Sequence, residues 1–214
     1  MYEFERRCMK EGHRLVAGTD EAGRGPLAGP VVAAAVVLDP ENPIGRLADS
    51  KVLRAVIREE LYEEIVEKAL GTSIVFIDAG VIDTINIYRA AQKAMTDAVL
   101  SLPFTPDKVL SDAMPLSLED IPFEAIVSGD RLSASIAAAS ILAKVARDRH
   151  MDRLARRYPA YGFETHKGYP TKAHLRALEE HGPCAVHRRS FKPVKERLAK
   201  QQHLSLEVDI WKSD

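Results

Sequence analysis

Apolar positions fall into short strand-like runs and into stretches at helical spacing, with the strand-like runs concentrated in the first 130 residues. Residues 4–11 read as a short helix. Leu15–Asp20 and Val31–Leu38 are rich in Val and small apolar residues, and Gly-Arg-Gly-Pro-Leu-Ala-Gly-Pro separates them, so two strands joined by a turn are predicted. Ile57, Leu61, Ile65 and Ala69 recur at helical spacing, with Gly71 placed to end that helix. Ser73–Asp78 reads as a strand. Asp83 is placed to cap a helix carrying Ile85, Tyr88, Met95, Val99 and Leu102 on one face, stopped before Pro103. Lys108–Asp112 and Phe123–Val127 read as strands on either side of a loop. Ser133–Tyr158 is a long helix, Ala-rich first and Arg-rich later, and Thr171–His181 is another. From Pro193 the chain reads as helical and then irregular. Strands gathered early and helices late predict an α/β fold: one mixed sheet flanked by helices, with a helical C-terminal part.

Length and composition narrow the picture. At 214 residues the chain suits one domain, or a domain with a modest extension, given about 150 residues per domain. Hydrophobic residues make up 46% of it, enough for a substantial core. The longest apolar run, Val31–Leu38, falls far short of the ~18 residues of a membrane span, and the charged N-terminus lacks a signal-like stretch. Cys8 and Cys184 are distant and form no CxxC pair, so neither a zinc site nor a disulfide scaffold is supported. These features predict a cytoplasmic protein.

The formal net charge of −1 hides an asymmetry. Residues 1–130 carry 13 basic against 22 acidic residues, and residues 131–214 carry 17 against 9. An acidic half that can hold cations and a basic half that can hold phosphates suit a nuclease. Opposed solvated helix faces would give the same numbers.

The acids sharpen the first reading. Asp20 and Glu21 stand together at a strand end, Asp112 ends a second strand, and Asp130 precedes the long helix. Hard divalent cations want oxygen ligands, and a two-metal phosphodiesterase site needs several carboxylates around ions ~3.5–4 Å apart. Each acid also has an ordinary role open to it: Asp130 as the cap of the next helix, Asp112 as the start of a turn. Gly23-Arg24-Gly25 adjoins the first two acids. It is neither a dinucleotide-binding fingerprint, since a strand follows where a helix is needed, nor a P-loop, since no GK[ST] follows. Such a loop allows close backbone approach beside a guanidinium, or simply makes a tight hairpin turn. Seven histidines without GxSxG or HExxH give no triad or zincin. His166 and His174 read as structural.

The motifs GTDEAGRGPLAGPVVAAAV, ADSKVL, INIYRAAQKAM, VLSDAMPL, SGDRLSASIAAASILAKVARDRHMDRL and YGFETHKGYPTKAHLRALEEHGPCAVHRRSF cover nearly all of residues 14–193. In order and spacing the chain resembles the type 2 ribonucleases H (ribonuclease HII). The resemblance implies a ribonuclease H-like fold with a five-stranded mixed sheet, in a catalytic domain over 1–192 whose helical substrate-groove part starts near 133, and a tail over 193–214. It implies an endonuclease acting on the RNA strand of RNA–DNA hybrids and 5′ of single ribonucleotides in duplex DNA, leaving a 3′-hydroxyl and a 5′-phosphate.

Carried over, Asp20, Glu21, Asp112 and Asp130 are the four catalytic, metal-binding acids, holding two divalent ions, Mg²⁺ or Mn²⁺. Gly23, Arg24 and Gly25 contact the ribose 2′-hydroxyl, Tyr169 stacks on the following sugar, and Lys51 contacts substrate. Ala113-Met114 replaces the Gly-Asn common in bacterial relatives, so the turn after Asp112 is expected to differ. Arg153, Arg156, Arg157, Arg188 and Arg189 are the candidates for phosphate contact. The protein is expected to work as a monomer. Two rival readings stay open: a structure-specific metal-dependent nuclease of the same fold, and a nucleic-acid-binding module that does not cut.

Overall fold

The computed structural model describes residues 1–48, 50 and 53–210, of which 202–210 by backbone alone. In chain order the elements are α1 (Glu3–Lys10), β1 (Val16–Ala22), β2 (Val31–Val37), α2 (Ala55–Lys68), β3 (Gly71–Ile77), α3 (Ala79–Ile85), α4 (Ile87–Leu100), β4 (Lys108–Asp112), β5 (Phe123–Ile126), α5 (Gly129–Leu132), α6 (Ala134–Arg157), a 3-10 turn (Pro159–Tyr161), α7 (Phe163–His166), α8 (Lys172–His181) and α9 (Lys192–Ile210). The five strands lie in the order β3-β2-β1-β4-β5, mixed as expected. β1, β2 and β3 pair antiparallel, while β1–β4 and β4–β5 are parallel.

The sheet is covered on both faces, which explains why β2 reads as an unbroken apolar run rather than an alternating one. Ala33, Ala35 and Val37 pack with Ala90, Ala94 and Met95 of α4. Ala34 and Val36 pack with Leu61 and Ile65 of α2 and Ala138 and Leu142 of α6. The Ala-rich half of α6 lies directly against β1. A Cβ on Gly18 would sit 2.1 Å from the Ser135 carbonyl carbon, so only glycine permits that approach. α9 begins in the core: Val194 is fully buried with Leu27 and Leu178.

Three local expectations are corrected. Gly71 does not end α2; the chain turns extended at Ala69, and Leu70 N–H bonds to the Val37 carbonyl at 2.9 Å, drawing Gly71 into β3. Asp83 caps no helix. Asp78 caps α3, and Asn86 in the left-handed region (φ 68°) breaks the expected single helix and caps α4. Asp83 instead accepts from Arg189 N–H at 2.8 Å and Ser190 N–H at 2.9 Å. Asp130 is not the cap of the long helix either. It sits inside α5, and Ser133 caps α6.

Candidate active site

β1 runs on to Ala22, two residues past its expected end, so Asp20 and Glu21 lie within the strand and point to opposite faces. Gly18 faces α6, and Asp20 shares its parity. On β4, Leu110 shares a core cluster with Ile136 of α6, so Asp112 faces the same way. Parallel pairing of Thr19 with Ser111 then sets Asp20 beside Asp112. The third acid arrives through a turn. Ser128 in the left-handed region (φ 58°) folds the end of β5 back, and Gly129 N–H donates to Asp112 Oδ1 at 2.7 Å. Asp130 follows immediately. One carboxylate oxygen from each of Asp20, Asp112 and Asp130 lies within 4.8 Å of the other two.

Glu21 has the opposite parity and is not part of that trio. Its Oε1 receives Arg24 Nη1 at 3.3 Å, and it borders the same cleft of ≈ 240 Å³ as Asp20, Asp112, Lys144 and Tyr169. Burial pushes the Asp20 carboxyl well above the usual range, and the neighbouring Glu21 and Asp112 charges push further; the Ser140 hydroxyl opposes them. Burial also raises Glu21, with Arg24 opposing most. Crowded, desolvated carboxylates of this kind are what a cation would relieve.

The loop between β1 and β2 is the expected hairpin connection, and its backbone is tied to the C-terminal part: Leu27 N–H donates to the Gly168 carbonyl at 2.8 Å and Gly29 N–H to the Val186 carbonyl at 2.9 Å. Two buried arginines add to this hold. Arg188 donates to the carbonyls of Gly23 (2.6 Å), Arg24 (2.9 Å) and Gly29 (3.0 Å). Arg147 donates to Pro30 (3.0 Å), Ala28 (3.2 Å) and Lys167 (3.0 Å). Gly23 has φ 95°, and a Cβ there would meet Arg147 Nε at 2.0 Å. This corrects the expectation for Arg188: a residue with no exposed surface anchors the loop rather than touching phosphate. Arg24 keeps its side chain about half exposed. Tyr169, also exposed, places its ring edge 3.6 Å from where a Cβ on Gly25 would stand. Lys51 lies outside the described residues.

Sequence reasoning missed Arg147 and Lys144. Lys144 stands one helical turn after Ser140 on α6, a spacing that shares a face. Nothing in the local sequence separates buried Arg188 from exposed Arg189.

A family profile described as "Ribonuclease HII" matches residues 17–194. The chain belongs to the ribonuclease HII family. It is thus a hydrolytic endoribonuclease with ribonuclease H activity on RNA–DNA hybrids. Ribonuclease HII of Acidovorax sp. is 61% identical over 180 residues, covering 84% of this chain and 86% of that protein. Ribonuclease HII of Enterococcus faecalis is 51% identical over 198 residues, 92% of this chain and 77% of that protein. Among solved structures, ribonuclease H2 of Pyrococcus horikoshii superposes with a TM-score of 0.74 at 27% identity, covering 87% of this chain and 98% of that one. Ribonuclease HII of Archaeoglobus fulgidus, solved in complex with PCNA, gives 0.69 at 26% identity over 84% and 96%. No described helix is long and apolar enough to cross a membrane.

Proposed function

We propose that the chain, beyond cutting RNA–DNA hybrids, also incises duplex DNA 5′ of a single embedded ribonucleotide, leaving a 3′-hydroxyl and a 5′-phosphate, with Asp20, Glu21, Asp112 and Asp130 as its catalytic acids. The observation that carries the reading is the convergence of Asp20, Asp112 and Asp130 oxygens within 4.8 Å. An all-oxygen donor set suits Mg²⁺ or Mn²⁺ rather than a soft metal. The four acids would hold two such ions, which when bound supply charge neutralisation on the phosphodiester and acidify water.

The rest of the work falls to the chain itself. The Gly23-Arg24-Gly25 backbone and the Arg24 guanidinium meet the ribose 2′-hydroxyl, and the Tyr169 ring lies against the next sugar. Lys51 contacts the substrate, and exposed arginines of the C-terminal half hold phosphates without reading sequence. Residues 1–192 act together as the catalytic unit.

A substrate panel in Mg²⁺ and in Mn²⁺ tests the reading: all-DNA duplex, RNA–DNA hybrid, and DNA with one ribonucleotide. Cleavage of the last two with a new end 5′ of the ribonucleotide is expected. Cutting of all-DNA duplex, or an untouched single-ribonucleotide substrate, would overturn it.

A further inference from the structure

Tyr169 sits in a turn whose backbone is fixed from below by a line of buried imidazoles. The Tyr169 carbonyl accepts from Thr171 N–H at 2.8 Å and contacts His174 Nδ1 at 3.0 Å. His174 Nε2 meets His187 Nε2 at 3.1 Å. His187 Nδ1 takes the Cys184 backbone N–H at 3.0 Å, with Cys184 Sγ at 3.2 Å. His174 and His187 are essentially without exposed surface.

The proton positions follow by elimination. A backbone N–H only donates, so His187 Nδ1 is bare and its proton sits on Nε2. Two facing Nε2 atoms share one proton, so His174 Nε2 is bare and accepts it. The remaining His174 proton is then on Nδ1, where it donates to the Tyr169 carbonyl. His166 has its own solution: Gly168 N–H donates to its Nδ1 at 3.2 Å, and its Nε2–H donates to the Tyr161 carbonyl at 2.8 Å. It stacks on His174 with ring centroids 4.5 Å apart, closing the other side. A charge on either facing ring would set two N–H groups against each other.

We propose that His174 and His187 are positioning residues: their single-proton chain fixes the Tyr169 peptide, and with it the ring that discriminates the sugar after a ribonucleotide. The inference rests on the reading of Tyr169 given above. It gives these histidines a part in specificity while leaving hydrolysis to the carboxylates. A misplaced contact group can cost up to ~100-fold in rate, and because the Tyr169 ring is the contact to the sugar after the ribonucleotide, the loss falls on junction substrates rather than on all-RNA hybrids.

The test has a spectroscopic and a kinetic arm. Long-range ¹⁵N–¹H spectra of the metal-free protein at pH 7 report each histidine's tautomer. His174 should show the Nδ1–H form, and His187 and His166 the Nε2–H form. His174 in the Nε2–H form, or a charged His187, would overturn the chain.

Kinetically, junction and all-RNA hybrid substrates are compared in Tyr169→Ala, His174→Gln and His174→Asn. An asparagine amide can replace the Nδ1 donor, whereas a glutamine amide falls at Nε2. Tyr169→Ala and His174→Gln should lose junction preference about tenfold, with His174→Asn retaining it. Preference lost in Tyr169→Ala but kept in His174→Gln would refute the positioning role alone. Preference kept in Tyr169→Ala would refute the reading of Tyr169 itself. Should His174→Gln melt far below wild type, the tautomer spectra and His174→Asn still decide, since failure of His174→Asn at unchanged stability counts against the chain.

Discussion

Arg188 Nη2 donates to the Gly23 carbonyl at 2.6 Å, joining two points 165 residues apart in a place with no access to water. Burial pulls this guanidinium down to about 9, with Arg147 adding to the effect, yet it stays a cation at neutral pH. Its role is to supply three loop carbonyls with donors. Arg188→Met leaves those carbonyls short, at ~1–3 kcal/mol each, partly offset by no longer burying a charge. A net loss of about 3 kcal/mol is expected, or ~6–12 °C in Tm. Arg188→Lys should fall between, since an ammonium lacks the planar fork. Arg189→Met is the control: its side chain is exposed, and Asp83 is held by the backbone. Thermal melts of the three variants check this, and a wild-type Tm for Arg188→Met would show that the guanidinium does not hold the loop.

Ala113, directly after Asp112, has φ 50°, a left-handed conformation that costs a side-chain-bearing residue ~1–2 kcal/mol. Ala113→Gly removes that cost but adds ~0.4–1 kcal/mol of chain entropy to lose on folding. Relief of strain outweighs the added entropy, so the variant should gain about 0.5 kcal/mol, a rise of ~1–2 °C in Tm, with cleavage of hybrid unchanged. A lower Tm would mean that the turn carries no such strain.

The sheet and most helices were legible in the sequence because two-sided burial leaves continuous apolar strands and helical periodicity. Of the four acids that the sequence singled out, Asp20, Asp112 and Asp130 converge in the structure. Strand parity explains what was not legible. Whether Asp20 and Glu21 share a face depends on where β1 ends, and an end is set by pairing with β2, which runs to Ala22–Val32. The break at Asn86 was equally hidden, because apolar spacing continues through it. Arg147 and Arg188 were unreadable as anchors: their partners are backbone carbonyls, which leave no residue signature.

Asp20→Asn should remove most activity at saturating Mg²⁺ while the metal-free protein melts no lower than wild type. Asparagine keeps the shape but offers a hard cation no charge. The folded-state carboxyl of Asp20 is raised, by burial first and then by Glu21 and Asp112. A raised folded pKa favours folding at low pH, and that contribution is lost as pH rises through it, so at neutral pH the charge is a cost that asparagine relieves. Conversely, added Mg²⁺ should raise the Tm of wild type more than that of Asp20→Asn. Equal turnover in the two proteins would remove Asp20 from the site.

Arg153, Arg156, Arg157 and Arg189 are exposed, unlike Arg188, and remain the candidates for phosphate contact. Neutralising them in pairs should raise KM, leave kcat nearly unchanged, and flatten the salt dependence of binding by up to about 0.9 for each phosphate no longer held. Titrations of uncleavable duplex at several salt concentrations measure the slope. If no pair changes it, the basic half of the chain is a solvated surface and the groove lies elsewhere.

His187 makes stability acid-sensitive in a window that can be named. Burial, reinforced by His174, lowers it from 6.5 to about 4. The groups around it are His166, His174, Tyr161 and Cys184, none of which offers a negative charge to restore it at neutral pH. Because the folded value is depressed, the unfolded chain takes up a proton that the folded one refuses. The stability is therefore complete above about pH 6.5 and is lost as pH falls toward about 4. At about 1.4 kcal/mol per unit, the loss approaches ~3 kcal/mol. His187→Gln keeps a donor for His174 but cannot titrate. It should cost ~1–2 kcal/mol at pH 7.5, where Cys184 N–H loses its acceptor, and should lose less than wild type on acidification. The two melting curves are expected to converge between pH 7.5 and 4.5 in metal-free buffer. Parallel curves would mean that His187 carries its proton in the folded state and that acid acts on some other group.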